Sequence, residues 1–483
     1  MSVGAVCWNA LVPASATVRT ARQLAAEQRS SGAPTFRLVR RDRDARDRQA
    51  PTLDAAQRRV VEHRGGPLLV LAGPGTGKTT TLVEAVVDRI ERDGLDPAQV
   101  LVLTFGRRAA AELRDRIAAR LGRTIREPVA RTFHSYAFGL LRREAVLHDR
   151  PTPRLLSGPE QDLVIRELLR GDVEEFGARD WPERLRPALL TRGFAEQLRD
   201  LLLRAAERGL DPKALAALGR KYRRDDWVAV AKFARQYAAI TALRPEAPAY
   251  DPAELVRAAV DLLRADRDLL EQEREARAVV FVDEYQDSDP AQEELLQLLA
   301  GGGRDLIVVG DPDQSIYAFR GAEVDGIRRF TERFRRADGA EADVVALRRS
   351  HRAGAELLRA SRRFAVRLGG PPAHRRLEPV EGTPPGEVEV HVLRSTNQEA
   401  AFVAQQFREA HLVGGVPWSR MAVLVRAASY IPVLRRALTA AGVPATVRLE
   451  EMPLVDQPAV RPLLTLLELA TGRRELEHHA TDR

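Results

Sequence analysis

At roughly 150 residues per domain, a chain of 483 residues has room for about three domains, each able to bury its own core. With 44% apolar and 30% charged residues it is globular in composition, which excludes a peptide-like scaffold, wholesale disorder, a collagen-like repeat and a membrane bundle. The formal charge of +8, from 76 Lys plus Arg against 68 Asp plus Glu, permits a polyanionic partner without requiring one.

Cys7 is the only cysteine. It can close no intramolecular disulfide and leaves no cluster for a structural zinc, so a reducing, cytoplasmic setting is expected. No run approaches the ~18 apolar residues of a membrane-spanning helix, and no Lys or Arg precedes the weak apolar stretch at the N-terminus, unlike an export signal. Residues 1–50 end in alternating Arg and Asp from Arg40 to Arg48, which predicts a solvated, flexible leader. They hold nine arginines and four acids, leaving only +3 for the rest of the chain. Overall basicity is therefore poor evidence for a nucleic-acid partner.

Leu68 to Ala72 is a short apolar run that passes into Gly73-Pro74-Gly75-Thr76-Gly77-Lys78-Thr79 and then into a helix with Leu82, Val83, Val86, Val87 and Ile90 on one face. Strand, glycine loop and helix in this order cradle a phosphate, because free backbone N–H groups and the positive end of the helix dipole converge on one anion. Lys78, one of only four lysines in the chain, is placed to reach β- and γ-phosphates, and the Thr79 hydroxyl to bind Mg²⁺. Ala72 stands where the motif usually has its first Gly, which is tolerated if that position needs no positive φ.

A strand is predicted at Val100 to Thr104. Further on, the Ser157-Gly158-Pro159-Glu160 capping box opens a helix with Leu163, Val164, Leu168 and Leu169. Phe194, Leu198, Leu201 and Leu202 repeat the pattern, as do Trp227, Val230, Phe233 and Tyr237, and together they predict a helical subdomain over 140–249. The apolar strand Ala278 to Val282 then delivers Asp283-Glu284 at its C-terminal end, where open α/β sheets place their ligands. Asp283 suits the Mg²⁺ shell and Glu284 the polarising of an attacking water. Lys78 and Asp283 lie 205 positions apart, so the helical subdomain reads as an insertion. More strands are expected at Leu306 to Val309, Val344 to Leu347, Glu387 to Val392 and Met421 to Val425. Gly369-Gly370-Pro371-Pro372 and Pro384-Pro385-Gly386 interrupt the last part, and a second domain is expected from about 340.

Several of these segments fall in the order of one family. They are Gln57, Ala72 to Thr79, Thr104-Phe105, Thr132-Phe133-His134-Ser135, Asp283-Glu284-Tyr285-Gln286-Asp287, and Gly310-Asp311-Pro312-Asp313-Gln314-Ser315-Ile316-Tyr317-Ala318-Phe319-Arg320-Gly321. Over about 53–470 the chain resembles the UvrD/Rep-like branch of superfamily-one DNA helicases. Ser350-His351-Arg352, where most relatives carry Asn-Tyr-Arg, resembles the actinobacterial AdnA-type helicase-nuclease subunit, which implies a partner helicase-nuclease subunit.

The resemblance implies an α/β fold with a RecA-like parallel-sheet P-loop NTPase core. The first motor domain would occupy 51–139 and 250–340, the helical insertion 140–249, and an incomplete second RecA-like domain 341–483. ATP would bind with Mg²⁺ on Ala72, Gly73, Pro74, Gly75, Thr76, Gly77, Lys78, Thr79 and Thr80. Gln57 would read the adenine edge, and His351, in place of the family's Tyr, could stack on the base. Gln314 would contact the γ-phosphate, and Arg352 would reach it from the second motor domain. Thr104, Phe105, Arg107, His134, Tyr317, Phe319 and Arg320 would face DNA, single-stranded or double-stranded. Aromatic faces beside cations stack on any base, although Phe105 and Phe319 also read as core, and His134 reads as a backbone or phosphate contact. Polarity would be 3′ to 5′.

The family's later motifs, including a further γ-phosphate arginine, are not found before Arg483, and a truncated reading frame is the expectation. Two functions stay open: an ATP-dependent DNA helicase or translocase acting in repair or recombination, and a nucleotide- and DNA-binding subunit that works only within a complex. The Asp283 to Asp287 run and the Gln314 to Arg320 segment disfavour a metabolic kinase.

Overall fold

The computed structural model describes residues 50–122, 129–242, 249–316, 324–368, 372–446 and 460–471. The predicted leader up to residue 49, and Tyr317, Phe319 and Arg320, lie outside the described residues. The chain divides into two compact units between Glu387 and Val388.

In the first unit, β1 (Pro67–Ala72), β2 (Val100–Thr104), β3 (Ala130–Thr132), β4 (Val279–Val282), β5 (Leu306–Gly310) and β6 (Asp343–Leu347) form one sheet. Their order is β3-β2-β4-β5-β1-β6 and every pairing is parallel. Parallel strands need crossovers, and helices provide them on both faces, which is why β1, β2, β4 and β5 read as apolar runs. Alternation along β1 sorts its side chains. Leu68, Val70 and Ala72 pack with Val60 of α1 (Ala55–Glu62), with Val83, Val86 and Ile90 of α2 (Lys78–Glu91), and with Leu113 and Ile117 of α3 (Arg107–Leu121). Leu69 and Leu71 face the opposite core, with Tyr136 and Leu140 of α4 (Phe133–Leu147).

The insertion has its own core. Its helices are α5 (Gly158–Glu174), α6 (Arg192–Glu207), α7 (Pro212–Lys221) and α8 (Asp225–Ala242). Val164, Leu168, Leu169, Trp181, Leu198, Leu215, Phe233 and Tyr237 cluster separately from the residues under the sheet. The Ser157 capping box is formed in both directions. Leu163, expected on the apolar face of α5, is instead 51% exposed. The parent core then resumes with α9 (Pro252–Ala265) and α10 (Pro290–Ala300), whose Leu255, Val260, Leu295 and Leu299 join Leu69.

Three sequence expectations are corrected. Leu140, Leu141 and Ala145, placed at the start of the insertion, belong to the core beneath the sheet, because α4 runs on from Phe133 with one buried face. The strand expected to open a second domain near 344 is β6, which pairs with β1 and buries Val345 and Leu347 in the first sheet's core. Glu387 to Val392 and Met421 to Val425 form no regular element and pair with no strand among the described residues. Alternation says which side chains share a face; a strand also needs a neighbour in register. Val390, Val392 and Leu424 stand 85%, 93% and 94% exposed. The short strand β3 was not foreseen, since three residues carry too little pattern.

In the second unit Thr396–Leu412 and Ile431–Ala440 pack together over a core that, among the described residues, buries Ala404, Leu438 and Val443, with Phe407, Trp418, Ala437 and Ala441 partly buried against them. So small a core gives little resistance to local opening. Limited trypsin digestion is expected to cut at Arg394, Arg420 and Arg426 well before any site in the first sheet. Equal persistence of both units on a time-course gel would contradict this.

Candidate nucleotide site

The carboxyl ends of β1, β2, β4 and β5 lie side by side and each carries a piece of the site. At β1, Gly75 and Gly77 hold φ of +78° and +81°, backbone that glycine adopts freely. Space confirms the choice: a Cβ on Gly77 would sit 2.7 Å from Gln57 Nε2, and one on Gly75 2.8 Å from Arg352 Cβ. Ala72 ends β1, fully buried and without positive φ, so the departure from Gly is accommodated. Thr76 folds the loop back, its N–H and hydroxyl both donating to the Gly73 carbonyl. Gln57, 3% exposed, donates from Nε2 to the Thr76 carbonyl at 3.0 Å. Its Oε1 accepts from the Asp54 N–H in the cap of α1. In this structure, then, Gln57 braces the loop.

Lys78 begins α2 and its Nζ lies 3.0 Å from Glu284 Oε2. Asp283, at the end of β4, is 5% exposed. Burial first, and then the Glu284 carboxylate, push the Asp283 carboxyl up to about 7 against the pull of Lys78. Burial and Glu284 likewise raise Asp287 to about 6. Asp287 Oδ1 and Thr104 Oγ1 are buried without a hydrogen-bond partner among the described residues. An acid that is costly to ionise and orphaned oxygens at neighbouring strand ends are a donor set that fits a divalent cation; Thr79 lies in the first turn of α2.

Glu284 itself has φ of +54°, a left-handed conformation that costs a non-glycine residue about 1–2 kcal/mol. Its Oε2 also accepts from Gln286 Nε2 at 2.8 Å. Gln286 Oε1 in turn accepts from the Asp311 N–H at 2.9 Å, and Asp311 Oδ2 accepts from Gln314 Nε2 at 2.6 Å. An unbroken polar chain therefore runs from Lys78 to Gln314.

The Ser350-His351-Arg352 segment meets the loop through its backbone, the His351 N–H donating to the Gly75 carbonyl at 2.8 Å. The side chains of His351 and Arg352 are exposed. The sequence expected Arg352 to reach the loop from a second domain; here it lies beside Gly75 within the same compact unit, because β6 carries it there. Of the residues expected to face DNA, Thr104 is fully buried. Its register partner in β3 is Thr132, which brings Phe105 and Arg107 near His134. Burial, and then Arg107, hold the His134 imidazole below its usual pKa. Arg107 is exposed and Phe105 half-buried.

Sequence reading gave no role to Gln286, Asp287, Asp311, Asp313, His374 or Arg375. The first four lie inside the quoted motifs, so their positions were in view. A lone His after a Pro-Pro pair carries no signal. Asp311, Asp313 and His374 bring donor atoms within 4.8 Å of one another, but Arg375 already forks onto Asp313 and supplies the positive charge there.

The family model for the UvrD/REP helicase N-terminal domain matches residues 53–335, the stretch that contains the glycine loop, the insertion and the Asp283 and Gln314 strand ends. The chain belongs to the UvrD/REP helicase family. Among curated relatives it is 31% identical over 402 residues to "ATP-dependent DNA helicase UvrD1" of Mycobacterium tuberculosis, covering 81% of this chain and 49% of that one. It is 27% identical over 426 residues to "DNA helicase II" of Escherichia coli, covering 88% and 55%. With "ATP-dependent DNA helicase PcrA" of Staphylococcus epidermidis it shares 25% over 430 residues, covering 88% and 54%. The chain thus spans about half the length of the UvrD/REP relatives it matches.

Two outcomes follow from the site. Glu284→Gly relieves the left-handed backbone and Glu284→Ala does not, while both lose the Lys78 pair. The glycine variant is expected to be the more stable of the two by about 1 kcal/mol in urea unfolding; an alanine variant at least as stable would remove the case for strain. The second concerns pH. Burial raises Asp283 and Glu207 to about 7 and Asp287 and Asp289 to about 6. From about pH 4 up to these values the folded chain holds protons that the unfolded chain has lost, so stability falls as pH rises. The thermal midpoint should be higher at pH 6 than at pH 8, and the reverse order would refute the assignment.

Proposed function

We propose that this chain supplies the ATP-binding motor domain of an ATP-dependent DNA helicase or translocase, working on single-stranded DNA with 3′-to-5′ polarity in repair or recombination. One observation carries the reading: Lys78 in the glycine loop after β1 reaches across β5 to pair with Glu284 at the end of β4, beside the buried Asp283. The names of the relatives support it. The helical insertion and a partial second motor domain over the unit from Val388 onward complete the proposed architecture. No described helix is long and apolar enough to cross a membrane.

The residues divide the work. Backbone N–H groups of Gly75 to Thr79 and the N-terminus of α2 bind the phosphates. Thr79 and Asp283 would hold Mg²⁺, which when bound neutralises phosphate charge. A phosphate at the loop competes with Glu284 for the Lys78 ammonium, and the freed carboxylate is then placed to orient a water and accept its proton. Gln314 contacts the γ-phosphate side, Arg352 adds positive charge beside Gly75, and His351 stacks on the base. Phe105, Arg107 and His134 offer the strand an aromatic face and a cation. The second reading is a nucleotide- and DNA-binding subunit that acts with a partner helicase-nuclease subunit. It is favoured by Ser350-His351 standing where the family has Asn-Tyr.

Lys78→Ala should weaken Mg·ATP binding by about 10- to 100-fold, the loss of a charge-assisted contact, as read by titration calorimetry. Unchanged affinity would sink the nucleotide site. Hydrolysis stimulated by single-stranded DNA supports the motor; tight binding of both ligands without turnover supports the subunit.

A further inference from the structure

One short turn, Ala373–Arg375, touches three parts of the site at once. His374 is 1% exposed and its Nε2 lies 3.3 Å from Asp311 Oδ1 and 3.1 Å from Asp313 Oδ2. Arg375 grips the same loop, Nε and Nη2 meeting the two Asp313 oxygens at 2.7 and 2.6 Å. The His374 carbonyl lies 3.3 Å from where a Cβ on Gly73 would be, and the Leu377 methyl carbons at 3.0 and 3.1 Å. Glu378 and Val380 N–H groups donate to the carbonyls of Arg348 and Ser350, just before Arg352. The turn therefore closes over the start of the glycine loop, holds the Asp311–Gln314 loop and joins the strand that carries Arg352.

Asp311 is the pivot. It is 1% exposed, with Oδ2 taken by Gln314 and Oδ1 facing His374 and the Asp313 N–H. Burial alone would raise its carboxyl, but hydrogen bonds from His374, Gln314 and the Asp313 N–H hold it below the ordinary value. Taking away the imidazole leaves Oδ1 with the Asp313 N–H as its one remaining partner in a dry site, and a carboxylate that turns to make up the loss takes the Gln314 amide with it.

We propose that His374 is a positioning residue for Gln314: through Asp311 it fixes the amide that recognises the terminal phosphate, and so sets the preference for a nucleoside triphosphate over a diphosphate. This rests on the nucleotide reading above. Because His374 lies one residue removed from the phosphate contact, its loss is felt where Gln314 acts and not where Lys78 does.

The test uses the full chain and measures Mg·ADP and Mg·ATPγS affinities separately. His374→Ala should lower ATPγS affinity about tenfold while ADP affinity stays as in the parent chain. His374→Gln, whose amide N–H can replace the imidazole donor, should recover most of the loss. Gln314→Ala should reproduce the His374→Ala defect, and the double variant should be no worse than either alone. Equal losses for both nucleotides, additive losses in the double variant, or no change at all would overturn the proposal. Stoichiometric Zn²⁺ binding that disappears in His374→Ala would overturn it in favour of a metal cluster. A parent chain that binds neither nucleotide removes the nucleotide reading and this proposal together, a result distinct from parallel losses in the variant.

Discussion

Everything chemical in this chain depends on a sheet whose strands all run the same way and are buried on both faces. Parallel strands deliver their carboxyl ends to one edge, and burial on both sides leaves that edge as the place where polar side chains can gather. Lys78, Thr104, Asp283 and Asp311 meet there although they are far apart in sequence. The insertion at α5 to α8 does not disturb this, because it folds around its own core of Trp181, Leu169 and Phe233.

At that edge the charges are arranged in sequence, each answering the last. Lys78 answers Glu284, whose second partner, Gln286, spans to the backbone of Asp311, and Asp311 holds Gln314 on one side and faces His374 on the other. In low dielectric each unpaired member would be costly, so the members support one another. Two side-chain oxygens stay outside the scheme, on Asp287 and Thr104, and they mark where a further ligand has polar atoms to meet.

Much of this was legible before any coordinates. Glycines at 75 and 77 followed by Lys78, with an apolar strand before and an amphipathic helix after, specify their own geometry, and the acidic pair after Val282 follows from the same logic. The strand at Val344 was visible, but not that β1 had an edge waiting for it. Glu387 to Val392 shows the converse, a strand-like pattern without a paired neighbour among the described residues. His374 was invisible because its importance comes entirely from where the chain returns after Pro372, and distance in sequence carries no trace of that. Gln57, which the resemblance places at the adenine edge, makes its contacts in this structure with the cap of α1 and the Thr76 carbonyl.

The left-handed backbone of Glu284 has a consequence for how the site would behave as its charges are exchanged. The unfavourable torsion belongs to the main chain between β4 and Tyr285, while the attraction to Lys78 belongs to the side chain. Withdrawing the ammonium leaves the torsion as it was. The Cα–Cβ direction of Glu284 is thus kept without its first partner, in the way a weather vane stays on its spindle when the wind drops, and the Gln286 amide remains to hold the carboxylate.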